Sequence, residues 1–503
     1  MGNRRRAVRP VRLAPAAVVL LALGAIAAAA QFGRPAATAA SHAVMPPRQT
    51  AVTSAARACP PVPGGASGTV AFIAGSSPAS SGPAAGPGQA ELMPLPLAGA
   101  DLRAAGPISQ QVPGALQLLT VPAAQSAGQK GTQVLQGWSV TASGSLAQAM
   151  EAEVTQTPGL GVVRCGEPGS DIWFVGPGQQ GGVAQIQLDL MNVDALAASV
   201  DVSVITDAGR VQAGNATGLT VPPHQTVTES LSSLAAGSSV VAIEVRTTIG
   251  RVAADVAESS SHGGTASWLP SAAAPSTQLV IPGVPPSSSP AGLYIVVPGS
   301  SDARVSVLAV TPQGPYRPFG SQTEDLSAGS AWYVPLAPLG GTVSALELTA
   351  NVPVTAAVLV PGSGLGAFTA ATAAISEQAV VAGNSAGSGL GAAIVLSAPA
   401  GAAQVRLTET AEATVSKASA SASQVVSVRA GHTLTVQVSA PRGARNGTAF
   451  ADVITPLAGS GLVYAARAET QGQNTVVSII PAVSALTTIM LPPVRDSYTA
   501  ISP

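Results

Sequence analysis

The stretch 200-VDVSVITDAG-209 alternates apolar and polar residues and then reaches a glycine, the pattern of a half-buried strand closed by a turn. It returns 105 residues later as 305-VSVLAVTPQG-314, and again as 405-VRLTETAEA-413, where the glycine turn is absent. A second block comes after each copy: 221-VPPHQTVTESL-231, 327-SAGSAWYVPL-336 and 429-RAGHTLTVQV-438. Each is a polar turn leading into a strand. The third block is 239-SVVAIEVRTTIGRVAADV-256, 342-TVSALELTANVPVTAAVL-359 and 448-TAFADVITPLAGSGLVYAARA-468. Each reads as a hairpin around a Gly- or Pro-containing turn. The stretch 171-DIWFVGPG-178 aligns with 278-QLVIPGVP-285 and, more loosely, with 378-QAVVAGNS-385.

Solenoid repeats run about 20–50 residues, so a period near 105 residues describes tandem domains. Short strands at this density predict an all-β chain of small β-sandwiches, immunoglobulin-like in the broad sense, without the Cys-Trp-Cys spacing of a true immunoglobulin domain. The repeats fall at 166–270, 271–376 and 377–496. The region 59–165 is less regular, with strand candidates 69-TVAFIAG-75, 116-LQLLTV-121 and 160-LGVVRC-165. Within it, 145-SLAQAMEAEV-154 fits a helix or a strand.

Composition supports this reading. Charged residues are 9% of the chain and hydrophobic ones 46%, interrupted by 54 glycines and 42 prolines, which break helices. The uncharged segments 348–376 and 378–405 are punctuated by Pro353, Pro361, Gly383 and Pro399, so they read as buried strands and not membrane spans.

Residues 1–34 carry six arginines and no acid, which leaves the remainder acidic. With Lys130 and Lys417 as its two lysines, that remainder offers phosphates no basic cluster, and nucleic acid is excluded as a partner. The arginines precede an apolar run, 13-LAPAAVVLLALGAIAAAA-30. It fits a cleaved secretory signal and equally an uncleaved helical anchor. Either way the arginines stay in the cytoplasm and the body lies outside. Residues 35–58 form a low-complexity spacer.

In an oxidising compartment two cysteines without C-x-x-C spacing predict one disulfide, Cys59 to Cys165. Cys165 has Arg164 beside it but no histidine neighbour in sequence to serve as its base, so it reads as a structural clasp and not a nucleophile. Trp173 and Phe174 occupy the place of Val280-Ile281 and Val380-Val381 in later copies, which marks a core position; the alternative is a sugar-stacking platform. A G-x-S-x-G match, 383-GNSAG-387, precedes a strand-like segment, 388-SGLGAAIVL-396, where a nucleophile elbow needs a helix. His42, His224, His262 and His432 form no zinc pair, and His224 and His432 occupy matching turns. Asp189, Asn192, Asp194 and Asp201 are the nearest thing to an acidic cluster for a loop calcium site but lack EF-hand spacing and its central glycine, and otherwise read as solvated charges beside strands. No catalytic, cofactor or metal residue is assigned.

The run 142-ASGSLAQAMEAEVTQTPGLGVVRCGEPGSDIWFVG-176 resembles the central motif of an uncharacterised family of secreted or membrane-anchored actinobacterial proteins, a domain of unknown function. Small residues with Leu-Ala, a Gly-Leu before the cysteine, and Trp-Phe-x-Gly after it carry the likeness. The segments 218-GLTVPPHQTV-227, 250-GRVAADV-256 and 267-SWLPSAAAPSTQLVIPG-283 are similar too. The resemblance implies an N-terminal membrane segment, an extracytoplasmic β-rich body and a cell-envelope role by association. The expectation is a non-enzymatic envelope protein, structural or binding, whose partner is a wall polymer or another envelope protein. The alternative is a carbohydrate-active or hydrolytic protein with dispersed carboxylates.

Overall fold

The computed structural model describes residues 47–62, 67–74, 86, 88–99, 117–122, 136–157, 161–211, 216–263, 266–286, 291–318, 323–336, 343–361, 365–384, 390–411, 420–444, 449–471 and 475–492. The apolar run 13–30 and residues 35–46 of the expected spacer 35–58 lie outside them, whereas its second half is not a plain spacer but carries the strand Arg48–Ala51 and most of Ser54–Cys59. The chain divides into two units: residues 1–49 with 490–503, and Thr50–Ile489. In the first unit the described residues are short extended segments around Arg48 and Met490. The second unit carries the other described strands, Ser54–Cys59 through Thr475–Ala482.

Alternating valine, leucine and alanine produce these strands, and among the described residues there is no α-helix. The segment 145–154 becomes a 3-10 turn, Gly144–Ala147, followed by the strand Glu151–Thr157. The strands pair antiparallel, and one order recurs. In Asp171–Leu269 the first, fifth and third main strands (Asp171–Pro177, Val240–Ile249, Ala198–Thr206) form one sheet. The fourth, second, sixth and seventh (Gln225–Ser230, Val183–Asn192, Ala253–Ser260, Ser267–Leu269) form another. Within 276–370 and within 379–482 the order is the same. It also holds for 54–164, where Ser54–Cys59, Gln136–Ser143 and Ala90–Pro96 form the first sheet, and Gln117–Pro122, Ser67–Ala74, Glu151–Thr157 and Val162–Arg164 the second. The region that looks irregular in sequence thus carries the same strand order and is the first of four copies along the chain.

The third sequence block is not a hairpin. Its two strands enter different sheets: Val240–Ile249 pairs with Ala198–Thr206 and Asp171–Pro177, whereas Ala253–Ser260 pairs with Val183–Asn192. In the next copy they are two halves of one strand, Ser344–Val360, whose pairing changes partners around Asn351–Pro353. The reason is burial. Both strands direct apolar residues into the core between the two sheets, so pairing them with each other would leave one face exposed. Gly250, at φ +74°, and Pro353, which lacks a donor, sit where the chain crosses over.

Each copy has a core drawn from both of its sheets, as in Phe72 and Val154 against Leu92 and Val140, or Ile394 and Leu396 against Leu407 and Ile454. The sheets also pack between copies. Ala58 and Leu95 meet Met191 and Ala253. Tyr294, Val296 and Leu359 join the core around Phe174. Tyr464 packs on Val280 and Val310. Finally, Ala71 and Ile73 pack on Val380, Ala382 and Val453. The last contact joins the first copy to the fourth, so the packing order closes on itself within this unit. The short seventh strands Val162–Arg164, Ser267–Leu269, Ala367–Ala370 and Thr475–Ala482 lie beside one another in turn.

Candidate functional site

Where three of these seventh strands and their flanking segments meet there is a cavity of about 400 Å³. Residues 162–164, 166–169, 171–172, 254–255, 268–272, 479–481 and 483 line it. Arg164, at the end of its strand, donates from Nη2 to Glu151 Oε1 at 2.5 Å. The same oxygen accepts from Arg57 Nε at 3.0 Å and Nη2 at 2.7 Å. Arg57 also lies 3.4 Å from Glu167 Oε2, which is exposed at the cavity. On another wall is Asp255, paired in register with Asp189 on the neighbouring strand. Directly opposite residues share a sheet face, so the two carboxyls are neighbours.

Their environments differ. Burial pushes Asp189 up to about 6, against hydrogen bonds donated by Thr228 Oγ1 and Gln187 Nε2. Burial, and then the repulsion of Asp189, holds Asp255 well above the usual carboxylate range. Three residues on, Glu258 is raised by burial alone, and neither of its oxygens meets a protein donor.

A second ionic group lies where the first and fourth copies meet. Glu153 accepts from Arg467 Nη1 at 2.9 Å and from the backbone N–H groups of Ala382 and Gly383 at 2.9 and 3.2 Å. The Arg467 guanidinium also donates to the Gly383 carbonyl at 3.0 Å. Burial opposes the charge of Arg467, but Glu153, Glu469 and Asp452 outweigh it and raise its pKa. Asp452, which accepts from Asn384 Nδ2 at 2.7 Å, is pushed up to about 8 by burial, with Glu409 adding repulsion.

Cys59 and Cys165 form a disulfide. It links the first strand of the first copy to the segment just after its seventh, and it points to an extracytoplasmic location. The denatured, unreduced chain is therefore expected to show no reactive thiol, and two after reduction, by a thiol-reagent titration.

Trp173 and Phe174 are buried in the core of the second copy, and Ile281 and Val381 at the matching places are buried in the cores of the third and fourth. The acidic residues disperse. Asn192 supports a turn through Leu196 O and Val221 O, Asp194 pairs with Arg251, and Asp201 accepts from the Gly218 N–H. Among the described residues no group of three His, Cys, Asp or Glu is placed to hold a metal ion. His224 takes a turn position at φ +52°, His432 contacts the Ala430 carbonyl, and His262 is exposed. His42 lies outside the described residues, as do Ser385, Ala386 and Gly387 of the G-x-S-x-G match. Among the described residues no helix is long and apolar enough to cross a membrane.

Sequence reasoning missed Arg164, Asp255, Trp268, Glu153 and Arg467. A signal was available: in a chain this poor in charge, 253-AADVAESS-260 and 464-YAARAETQ-471 put acids and an arginine inside alternating strands. Such residues are rarely buried without a partner or a purpose.

Fold and cavity together define a disulfide-stapled all-β protein of face-packed sheets around a carboxyl-bearing cavity. The chain belongs to the family of unknown function DUF5719, whose model matches residues 123–439. No curated protein and no solved structure matches the chain.

Proposed function

We propose that this is a non-enzymatic extracytoplasmic protein of the cell envelope, serving as a binding or structural scaffold. In this reading each of the four strand sets is a small β-sandwich, the set in 54–164 included. The body is secreted or held at the membrane through residues 13–30. The observation that carries the reading is the packing order that closes on itself through Glu153 and Arg467. Buried charge is costly, and here it is used to fix sheets against one another, which suits a body that must keep its shape while presenting loops. The test is co-sedimentation of the full chain with fractionated envelope: peptidoglycan, wall polysaccharide, lipoglycan and membrane vesicles. Saturable binding to one fraction is expected. Binding to none would overturn the polymer partner and turn the search to proteins by crosslinking in cells.

One observation favours a second reading, a carbohydrate-active or hydrolytic protein. Asp189 and Asp255 are adjacent carboxyls whose environments separate their proton affinities, the relation found between a catalytic acid and base. A glycan-cleaving activity lost in both Asp189→Asn and Asp255→Asn would favour it over the scaffold.

A further inference from the structure

We propose that the cavity bounded by Arg164, Asp255 and Trp268 binds a neutral polyhydroxylated ligand the size of a small sugar. The volume of about 400 Å³ falls within the 300–1,000 Å³ typical of small-molecule sites. Three residues on its walls carry a buried polar atom with no partner in the protein: Arg164 Nε, Asp255 Oδ2 and Trp268 Nε1. Asp255 and Trp268 are only 4% and 7% exposed. Buried polar atoms are normally satisfied, so three orphans around one cavity mark a place where hydrogen bonds are to be made.

The chemistry of the walls selects the ligand. Two of the orphans are N–H donors, and the third belongs to a carboxyl whose pKa burial raises well above the usual range, which favours the protonated form that can donate as well as accept. Hydroxyl groups answer both. Ile172, Leu269, Pro270 and Pro481 provide apolar surface for the C–H faces of a ring. An anion is disfavoured, because the Arg164 charge is already met by Glu151 and the exposed Glu167 and Asp171 add negative charge. A cation is disfavoured because Arg164 lines the same cavity and burial favours the protonated form of Asp255. The site draws on three of the four strand sets, and the proposal does not depend on where the protein resides.

The test is saturation-transfer NMR on the full chain with glucose, galactose, mannose, N-acetylglucosamine, maltose and cellobiose, with acetate and methylammonium as charged probes. Saturable transfer to at least one neutral sugar is expected. It should vanish in Ser271→Trp, which fills the exposed rim, and weaken about tenfold in Trp268→Phe and Asp255→Asn, where a hydrogen-bonding group is lost or altered. Transfer to no sugar, transfer confined to a charged probe, or binding unchanged in Ser271→Trp would overturn the proposal. Ser271 is exposed, so that variant decides the matter even if the other two fail to fold.

Discussion

Arg467→Met is expected to destabilise the folded body by about 3–5 kcal/mol, the cost of leaving one member of a buried ion pair without its partner. Arg467 and Glu153 are 0% and 1% exposed at their side chains, so water cannot replace the lost guanidinium. Glu153 would keep only the Ala382 and Gly383 amides, and the Gly383 carbonyl would lose its side-chain donor. Asp452 and Glu469 would lose their one favourable charge as well. Arg467→Met combined with Glu153→Gln removes both charges and should recover part of the loss, since a buried pair replaced as a unit often costs little. Denaturant titration of the three proteins gives the answer. A single variant within about 0.5 kcal/mol of the parent, the range of ordinary surface substitutions, would mean that this pair does not hold the first and fourth copies together.

The strands were legible because their signal is local. Alternation in 200-VDVSVITDAG-209 and its copies comes from burying one face, and the observed strands Ala198–Thr206, Ala303–Thr311 and Ala403–Ala411 share the pattern BiBiBi or BeBiBi over their first six residues, where B is buried, i half-buried and e exposed. Trp173 and Phe174 were legible for the same reason. The crossing of the third block between sheets was not, because two amphipathic strands around a glycine look alike whether they pair with each other or face each other across a core. The copy in 54–164 was hidden by wide spacing between its strands, with Ala90–Pro96 and Gln117–Pro122 far from their neighbours in sequence. The cavity and the Glu153–Arg467 pair were illegible as sites, since they join residues separated by up to 314 positions. Their rarity in apolar strands shows that such charges matter, but not which of them meet.

Stability is expected to fall as the pH rises from about 4 to about 8, the reverse of ordinary acid denaturation. A carboxyl whose pKa is raised by folding keeps a proton that the unfolded chain has already released, so above the unfolded value the unfolded state gains. For Asp189 the window runs from 3.8 to about 6, and for Asp452 from 3.8 to about 8. At about 1.4 kcal/mol per pH unit of displacement, the losses are on the order of 3 and 6 kcal/mol. Asp255 and Glu258, also raised, act in the same direction. Opposing them, Asp194, Asp207 and Glu377 are lowered. They contribute stability above their ordinary values and lose it as the pH falls through the lowered ones. They are largely open to solvent, so their contribution is small. The unfolding midpoint should therefore be highest near pH 4–5 and decline towards pH 8. Asp452→Asn, which cannot ionise, should flatten the upper part of that decline while leaving the part due to Asp189. A midpoint that climbs between pH 5 and pH 8 in the parent would show that the buried carboxyls are met by positive charge or water, and with it the neutral wall proposed for the cavity would fail.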